Sequence, residues 1–267
     1  MRAWLLVLAL VACRRESPSI RIATFNIEDF PKSPAQVRAA FDELASTHAE
    51  IIAVQEIDDP ALFARAMHDR LGVQWRFVPS AWTQPEEHPR HLGVLFDSSR
   101  WQLAGTTLHT DTTLGAQHKP TLEVDLAPVG GGDLMRVLVV HFKAGSDGYD
   151  VRVLQTAALA RILDRLPRGS HTVVMGDFNA TEAGDRTNIE HLAQGRLAWA
   201  TAGLACSAFW RREDSCPRSR LDHALTWQRP HDVEALGACK RDGCGTQKSC
   251  PLYATAVSDH CPVVITL

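Results

Sequence analysis

The sequence predicts an α/β protein made of β-sheets with helices on their outer faces. Three observations lead there. Apolar β-type runs alternate with amphipathic helical patterns from Ile20 to Leu267, strand candidates outnumber helices, and no repeat, low-complexity linker or charge block divides the chain. Its 267 residues, 45% hydrophobic and 22% charged, suit one large domain over 20–267 better than two ordinary ones.

The elements follow in order. Ile20–Ile27 reads as a strand. Ser33-Pro34-Ala35-Gln36 then offers an N-cap, a proline at the first helical position and a capping-box glutamine. Val37, Ala40, Phe41, Leu44 and Ala45 follow at helical spacing. Ile51–Gln55 is a second strand, and Asp59-Pro60 starts a helix that ends near Gly72. Shorter strands are expected at Trp75–Val78, Leu92–Phe96 and Thr121–Leu126. The turn Gly130-Gly131-Gly132 leads into Arg136–Phe142 and predicts a hairpin. A helix spans Asp150–Leu166, stopped by Pro167, and Thr172–Met175, Leu221–Trp227 and Val263–Leu267 complete the strands.

The first residues stand apart. Arg2 precedes an apolar run, Ala3–Ala12, too short to span a bilayer and laid out as a secretory signal. Leu10-Val11-Ala12-Cys13 resembles the lipobox of bacterial lipoproteins. The resemblance implies a signal peptide over 1–12, lipidation of Cys13, a short tether over 13–19 and anchorage to a membrane. The alternative is an ordinary signal peptide; both readings export the protein to the cell envelope or beyond. Setting Cys13 aside, the other six of the seven cysteines all fall in the last third, which reads as disulfides in an oxidising compartment. Cys206 with Cys216 is the expected pair, pinning the polar loop Arg211-Arg212-Glu213-Asp214. A structural zinc at Cys239, Cys244 and Cys250 is the competing reading, and it lacks a CxxC knuckle.

Polar residues cluster at strand ends. Asn26 and Glu56 end the first two strands, His141 interrupts an apolar one, Asp177 and Asn179 follow Thr172–Met175, and Asp259-His260 precedes the last. Strand ends in an α/β protein converge on one edge, where ligands bind. Carboxylates and an amide there suit a hard cation such as Mg²⁺, and imidazoles suit proton transfer near neutral pH. The net charge of −3 argues against a protein that coats nucleic acid by charge alone, without excluding an enzyme that cuts it.

Ala23-Thr24-Phe25-Asn26-Ile27, Val54-Gln55-Glu56, Val140-His141-Phe142-Lys143, Gly176-Asp177-Phe178-Asn179, Ser219-Arg220-Leu221-Asp222-His223 and Ser258-Asp259-His260 occur in the order found in the endonuclease/exonuclease/phosphatase superfamily, which the chain resembles over nearly its whole length. The resemblance implies a four-layered α-β-β-α sandwich of two mixed β-sheets packed face to face, and a divalent-metal-dependent phosphoesterase. It makes Glu56 the principal metal ligand, with Asn26 and Asp259 holding or orienting metal-bound water. Asp177 orients or deprotonates the attacking water, and Asn179 donates to the phosphoryl oxygens. His260 contacts the phosphate with Asp222 behind it, while His141 stabilises charge or protonates the leaving oxygen. Gln55 supports the site, and His223 reads as structural.

Lys119-Pro120 stands where many family nucleases carry Arg-Pro; lysine keeps the charge but not the bidentate fork. Lys143 resembles a lysine of several exported bacterial members. Lys119, Lys143 and Arg220 are the expected substrate contacts. The implied cofactor is Mg²⁺, with Mn²⁺ or Ca²⁺ able to substitute. The implied substrate is nucleic acid, DNA first, with no obligatory protein partner. The alternative is a phospholipid or phosphorylated small molecule at a membrane surface. With two Tyr in the chain, no counterpart is evident near 80–91 for the tyrosine that pancreatic deoxyribonuclease lays into the minor groove.

Overall fold

The computed structural model describes residues 19–82, 90–167 and 170–267. The signal-peptide, tether and Cys13 expectations lie outside the described residues, as does most of the 80–91 stretch. In chain order the elements are β1 (Arg21–Phe30), α1 (Pro34–Ser46), β2 (Ile51–Ile57), α2 (Pro60–Leu71), β3 (Trp75–Pro79), β4 (His91–Asp97) and β5 (Trp101–His109). Then come β6 (Thr121–Pro128), β7 (Met135–His141), α3 (Tyr149–Arg165), β8 (His171–Asp177), α4 (Ala183–Ala193), β9 (Ala198–Trp199), β10 (Ala208–Phe209) and β11 (Arg218–Ser219). The chain closes with β12 (Asp222–Thr226), β13 (Asp232–Ala235), α5 (Gly237–Asp242), α6 (Tyr253–Ala256) and β14 (Val263–Thr266). No helix among the described residues is long and apolar enough to cross a membrane.

Two mixed six-stranded sheets form, ordered β13-β14-β1-β2-β4-β3 and β5-β6-β7-β8-β12-β9. Side-chain alternation sorts each strand between two cores. Ile22, Ile51, Ala53, Val137, Val139, Val173 and Met175 meet in the core between the sheets. Ala23, Phe25, Ile27, Ile52 and Val54 face the other way, under α1 and α2, with Phe30, Phe41 and Phe63 in mutual ring contact. On the far side Leu138, Val140, Val174 and Leu225 pack under α3 and α4. The four layers expected from the sequence are therefore present.

Each sheet contains a parallel pair joined through a helix: β1–β2 across α1 and β7–β8 across α3. Local chemistry fixes where those helices start. Ser33 Oγ accepts from Gln36 N at 3.1 Å, with Pro34 at the first helical position. Gln36 departs from a standard capping box. Its Oε1 accepts from Lys32 N at 2.6 Å, and its buried Nε2 lies 2.9 Å from the carbonyls of Ile27, Glu28 and Val257. The residue thereby also anchors the turn after β1. At α2, Asp59 Oδ1 accepts from Leu62 N and Gly72, at φ 105°, ends the helix.

The cysteine pairing corrects an expectation. The bonds are Cys206–Cys244, Cys216–Cys250 and Cys239–Cys261, so neither Cys206–Cys216 nor a zinc site forms. The loop between Cys206 and Cys216 is already closed by its own ladder, with Ala208 opposite Ser219 and Phe209 opposite Arg218. The disulfides instead tie this hairpin to the 239–261 segment.

Strand β5 was not legible because only Trp101 of its nine residues is buried and no alternation survives. Helix α4 buries only Asp185, Ile189, Leu192 and Ala193, too thin a stripe for periodicity to reveal.

His223 fits its structural reading. It is fully buried in β12, with Nδ1 3.2 Å from Trp199 Nε1 and 3.0 Å from Thr201 Oγ1. Burial, reinforced by the charge of Arg220, lowers its pKa from 6.5 to about 3. The unfolded chain thus takes up a proton that the folded chain refuses. The stabilisation from a neutral His223 is whole above pH 6.5 and is lost as pH falls from 6.5 toward 3, with a slope of up to about 1.4 kcal/mol per unit. His223→Asn, which keeps an acceptor near Nδ1, should flatten the acid limb of stability in denaturant melts between pH 6.5 and 4.5. An unchanged slope in that variant would remove His223 from the acid response.

Candidate active site

The ends of the two parallel pairs meet. Where β1 and β2 finish, their register slips: Asn26 pairs with Gln55 and Phe30 with Ile57, leaving residues 27–29 opposite Glu56 alone. Such bulges re-aim side chains. Glu28, Asp29 and Glu56 adopt φ of 48°, 50° and 62°, and Asn179, after β8, adopts 49°. Left-handed backbone costs about 1–2 kcal/mol per non-glycine residue, least for Asn. Four such residues line one cavity of about 380 Å³. Gly176 has φ 144°, and a Cβ there would stand 2.1 Å from Val140 O, so only glycine lets β8 run this close to β7 just before Asp177.

Asp177 lies at the centre, 1% exposed. Its Oδ2 accepts from Asn26 Nδ2 at 3.1 Å and Asn179 Nδ2 at 3.0 Å, and its Oδ1 accepts from Asn179 N at 2.8 Å. His141 Nε2 stands 3.6 Å from Asp177 Oδ2 and 3.6 Å from Glu56 Oε1. His260 Nε2 stands 3.8 Å from both Asp177 Oδ2 and Asp259 Oδ1. Its Nδ1 is 2.8 Å from Asp222 Oδ2, which also accepts from Ser207 Oγ at 2.7 Å. Ser258 Oγ donates to Asn26 O at 2.7 Å and accepts from His260 N at 3.0 Å, tying the Ser258-Asp259-His260 segment to the end of β1.

The two histidines differ in charge for a physical reason. Burial alone would lower both. At His260 the carboxylates of Asp222, Asp177 and Asp259 reverse that and hold the pKa well above its ordinary value, so the ring is cationic. At His141 burial is joined by the charges of Lys119, His260 and Arg90, and the ring stays neutral near pH 7. Asp177 is raised to about 7 by burial and by Asp222 and Glu56, against the pull of His260 and the Asn179 N–H. Asp259 is raised to about 6 by burial, Glu28 and Glu56, opposed by His260 and Arg211.

Glu56, Asn26 and Asp259 all reach this edge, but Asn26 is placed differently from the expected ligand. Its amide nitrogen bridges Asp177 and Glu56 Oε1, the latter at 3.2 Å, while its Oδ1 accepts from Glu28 N at 3.0 Å. It orients carboxylates. Residues not anticipated also line the cavity: Glu28, Asp29, Arg90 and Trp210, with Arg211, which entered the sequence reading only as part of the polar loop between Cys206 and Cys216. Arg90 pairs with Asp29 Oδ1 at 2.8 Å, and Arg211 pairs with Glu28. Glu28 and Asp29, two and three residues past Asn26, carried a signal by proximity; Arg90 carried none.

Lys119, Lys143 and Arg220 are not among the lining residues. Lys119 acts on the site through its charge, lowering His141. The backbone N–H of Lys143 is held by Gln155 Oε1 at 2.9 Å. Arg220 corrects its expectation. Its Nη1 donates to the carbonyls of Thr201, Ala202 and Leu204, and its guanidinium lies 5.4 Å from the Trp199 ring, so it braces that loop. Gln55 is also one shell away, hydrogen-bonded to Thr24 Oγ1 at 3.1 Å between the sheets.

A cation suits the donor set. Among the described lining residues, the five carboxyls of Glu28, Asp29, Glu56, Asp177 and Asp259 face the two guanidiniums of Arg90 and Arg211 and the cationic His260, and burial and neighbouring carboxyls push Asp177 and Asp259 up. Oxygen donors of this kind fit Mg²⁺ or Ca²⁺. Asp177, Asp222 and His260 also bring ligand atoms within 4.8 Å of one another. The 2.8 Å hydrogen bond between the last two engages Asp222 Oδ2 and His260 Nδ1, and Glu56 and Asp259 also present carboxyls to the cavity.

The profile of the Endonuclease/Exonuclease/phosphatase family matches residues 23–260. The chain belongs to that family of phosphoester hydrolases. Among solved structures, TDP2 of D. rerio complexed with single-strand DNA product aligns with a TM-score of 0.71 at 13% identity, over 94% of this chain and 99% of that one. The human Nocturnin catalytic domain with bound sulfate aligns at 0.66 and 20% identity, over 93% of each chain. A Bacteroides thetaiotaomicron mannosyl-6-phosphatase aligns at 0.64 and 13% identity, over 93% of this chain and 99% of that one. At these identities the likeness is one of fold. No curated protein sequence matches significantly.

The Asp222–His260 bond makes a testable unit. Asp222→Asn, His260→Ala and the double variant should lose similar amounts of activity, because effects within a unit are not additive. His141→Ala combined with Asp222→Asn should lose more than either alone. Multiplicative loss in the Asp222/His260 pair, with both single variants folded by circular dichroism, would mean that Asp222 acts elsewhere.

Proposed function

We propose that the protein is an exported, divalent-metal-dependent phosphodiesterase acting on nucleic acid, DNA in the first place. One observation carries the reading: a buried Asp177 at a pKa of about 7 faces a cationic His260 on one side and a neutral His141 on the other. A carboxyl titrating near neutrality suits a group that orients and deprotonates water. Cationic His260, held in orientation by its Nδ1–H bond to Asp222, offers Nε2–H to a developing phosphoryl charge. Asn179 spends both amide hydrogens on Asp177 Oδ2 and Phe142 O, so in this reading it holds the Asp177 carboxylate, and a donation to a phosphoryl oxygen would require giving up one of those bonds. The Nε2 of neutral His141 is aimed at the same centre and suits the leaving oxygen.

Glu56 and Asp259 would hold Mg²⁺, with Mn²⁺ or Ca²⁺ in its place. When bound, the ion would supply charge neutralisation at the phosphate. Nucleic acid is supported by the cavity's lip, where Trp210, 37% exposed and 5.4 Å from the Arg212 guanidinium, and Arg211 offer a stacking face beside positive charge. Lys143, next to the lining residues Ala144 and Gly145, and Lys119, whose charge acts on His141, are the further phosphate contacts of this reading. Export is supported by the lipobox-like start and by three disulfides in the last third.

Plasmid DNA, single-stranded DNA, RNA, sphingomyelin and a sugar phosphate, each with Mg²⁺, Mn²⁺, Ca²⁺ or chelator, should separate the substrate classes. DNA cleavage abolished by chelator is expected, and Glu56→Gln should reduce it about 10²–10³-fold with the fold intact. Turnover of sphingomyelin or the sugar phosphate alone would overturn the nucleic-acid reading. Separately, Cys13→Ser should end palmitate labelling and release the protein from membranes. Equal membrane retention of both forms would leave an ordinary signal peptide.

A further inference from the structure

Behind the cavity lies Arg152, in the first turn of α3 and 1% exposed. A guanidinium has five N–H donors, and here every one has an acceptor. Nε donates to Asp185 Oδ1 at 2.9 Å, and Nη2 donates to Asp185 Oδ2 and Thr181 Oγ1, both at 2.8 Å. Nη1 donates to Lys143 O at 3.1 Å and Gly145 O at 2.6 Å.

Apart from Asp185, these acceptors belong to two loops. One follows β7 directly after His141, and the other follows β8 after Asp177 and Asn179. Gly145 and Thr181 themselves line the cavity. Asn179 Nδ2 donates to Phe142 O at 3.1 Å, so the same loops are also linked in front. Asp185 extends the clamp to α4, accepting from Glu182 N at 2.9 Å within the capping box. Gln155, one turn along α3, accepts from Lys143 N at 2.9 Å and donates to Thr112 O at 3.2 Å.

We propose that Arg152 is a positioning residue for phosphoester hydrolysis: its fork holds the loops after β7 and β8 at the separation that sets His141 and Asn179 against Asp177, and so governs turnover more than substrate affinity. This rests on the phosphodiesterase reading above. A planar fork can span two loops where a single ammonium cannot, and a misplacement near 1 Å at a reacting centre lowers rate about 10²-fold.

Arg152→Lys keeps a cation beside Asp185 and loses the fork. With bis(p-nitrophenyl) phosphate and Mg²⁺, its kcat should fall about 10²-fold while KM stays within about threefold. Amide exchange should quicken at 143–145 and 179–182, with the rest of the fold still protected. Thr181→Val, which removes one acceptor, should lose about tenfold in kcat at near wild-type Tm. Leu163→Ala, a packing change on the same helix, lowers Tm without touching the loops and should keep kcat within about twofold. The proposal is overturned if folded Arg152→Lys keeps wild-type kcat, or loses no more than Leu163→Ala at equal Tm. Should Arg152→Lys fail to fold, unchanged kcat in Thr181→Val overturns it. If the wild-type protein hydrolyses no phosphate ester with any metal, the phosphodiesterase reading fails by itself. Loop exchange then decides whether Arg152 holds the loops, and unchanged exchange refutes it.

Discussion

The two sheets are joined, at the edge that matters, through the carboxylate of Asp177. A buried carboxylate is tolerated only where hydrogen bonds replace its lost water. Asn26 supplies one from the end of the first sheet and Asn179 supplies two from the loop beyond β8. Asp222, directly opposite Asp177 in the β8–β12 ladder, adds a second buried carboxylate. Two such groups side by side demand a cation, and His260 provides it, bonded to Asp222 and facing Asp177. The protonation pattern of the site follows from this one arrangement.

That arrangement requires backbone geometry that ordinary strands do not supply. The slipped register between β1 and β2 and the left-handed Glu28, Asp29, Glu56 and Asn179 meet at one cavity, and the close approach at Gly176 lies just behind it, before Asp177. Local strain of this kind persists when surrounding packing over-determines it. The packing is there: Phe25, Ile27, Phe30 and Val54 under the first sheet's helices, Val140 and Phe178 under the second's. Stability made by the two outer cores is drawn on at the edge.

The last third of the chain solves a different problem. Arg211, Asp222, Asp259 and His260 sit on short strands and loops, although Phe209, Leu236, Tyr253 and Val257 nearby join the core under α1 and α2. Three disulfides, closing sequence separations of 38, 34 and 22 residues in crossing order, restrict this region in the unfolded chain. Each contributes about 2–4 kcal/mol in loop-closure models. Covalent restraint here adds to the packing of Ala238, Tyr253, Ala254 and Val257 into the core.

What the sequence determined by itself was local. Apolar runs in β1, β2, β7 and β8, the caps at Ser33 and Asp59, and six short motifs in the order of the family they resemble were enough for the four layers and for Glu56, His141, Asp177, Asn179, Asp222, Asp259 and His260 at one edge. Apolar runs and caps act over a few residues, so the chain displays them directly. Tertiary structure alone decided the rest. The disulfide partners lie 22 or more residues apart and depend on which loop ends are already closed by a ladder. Arg220 looked like a substrate contact until its guanidinium met three carbonyls of a loop 16–19 residues away. Arg90 and Arg152 carry no motif, and each acquires its place only when a loop or helix is laid against carboxylates or carbonyls from distant strands. The difference between His141 and His260 belongs here too. Identical side chains titrate apart because burial lowers both, and at His260 the carboxylates of Asp222, Asp177 and Asp259 outweigh it while at His141 the charges of Lys119, His260 and Arg90 add to it, and that depends on the field of the folded protein.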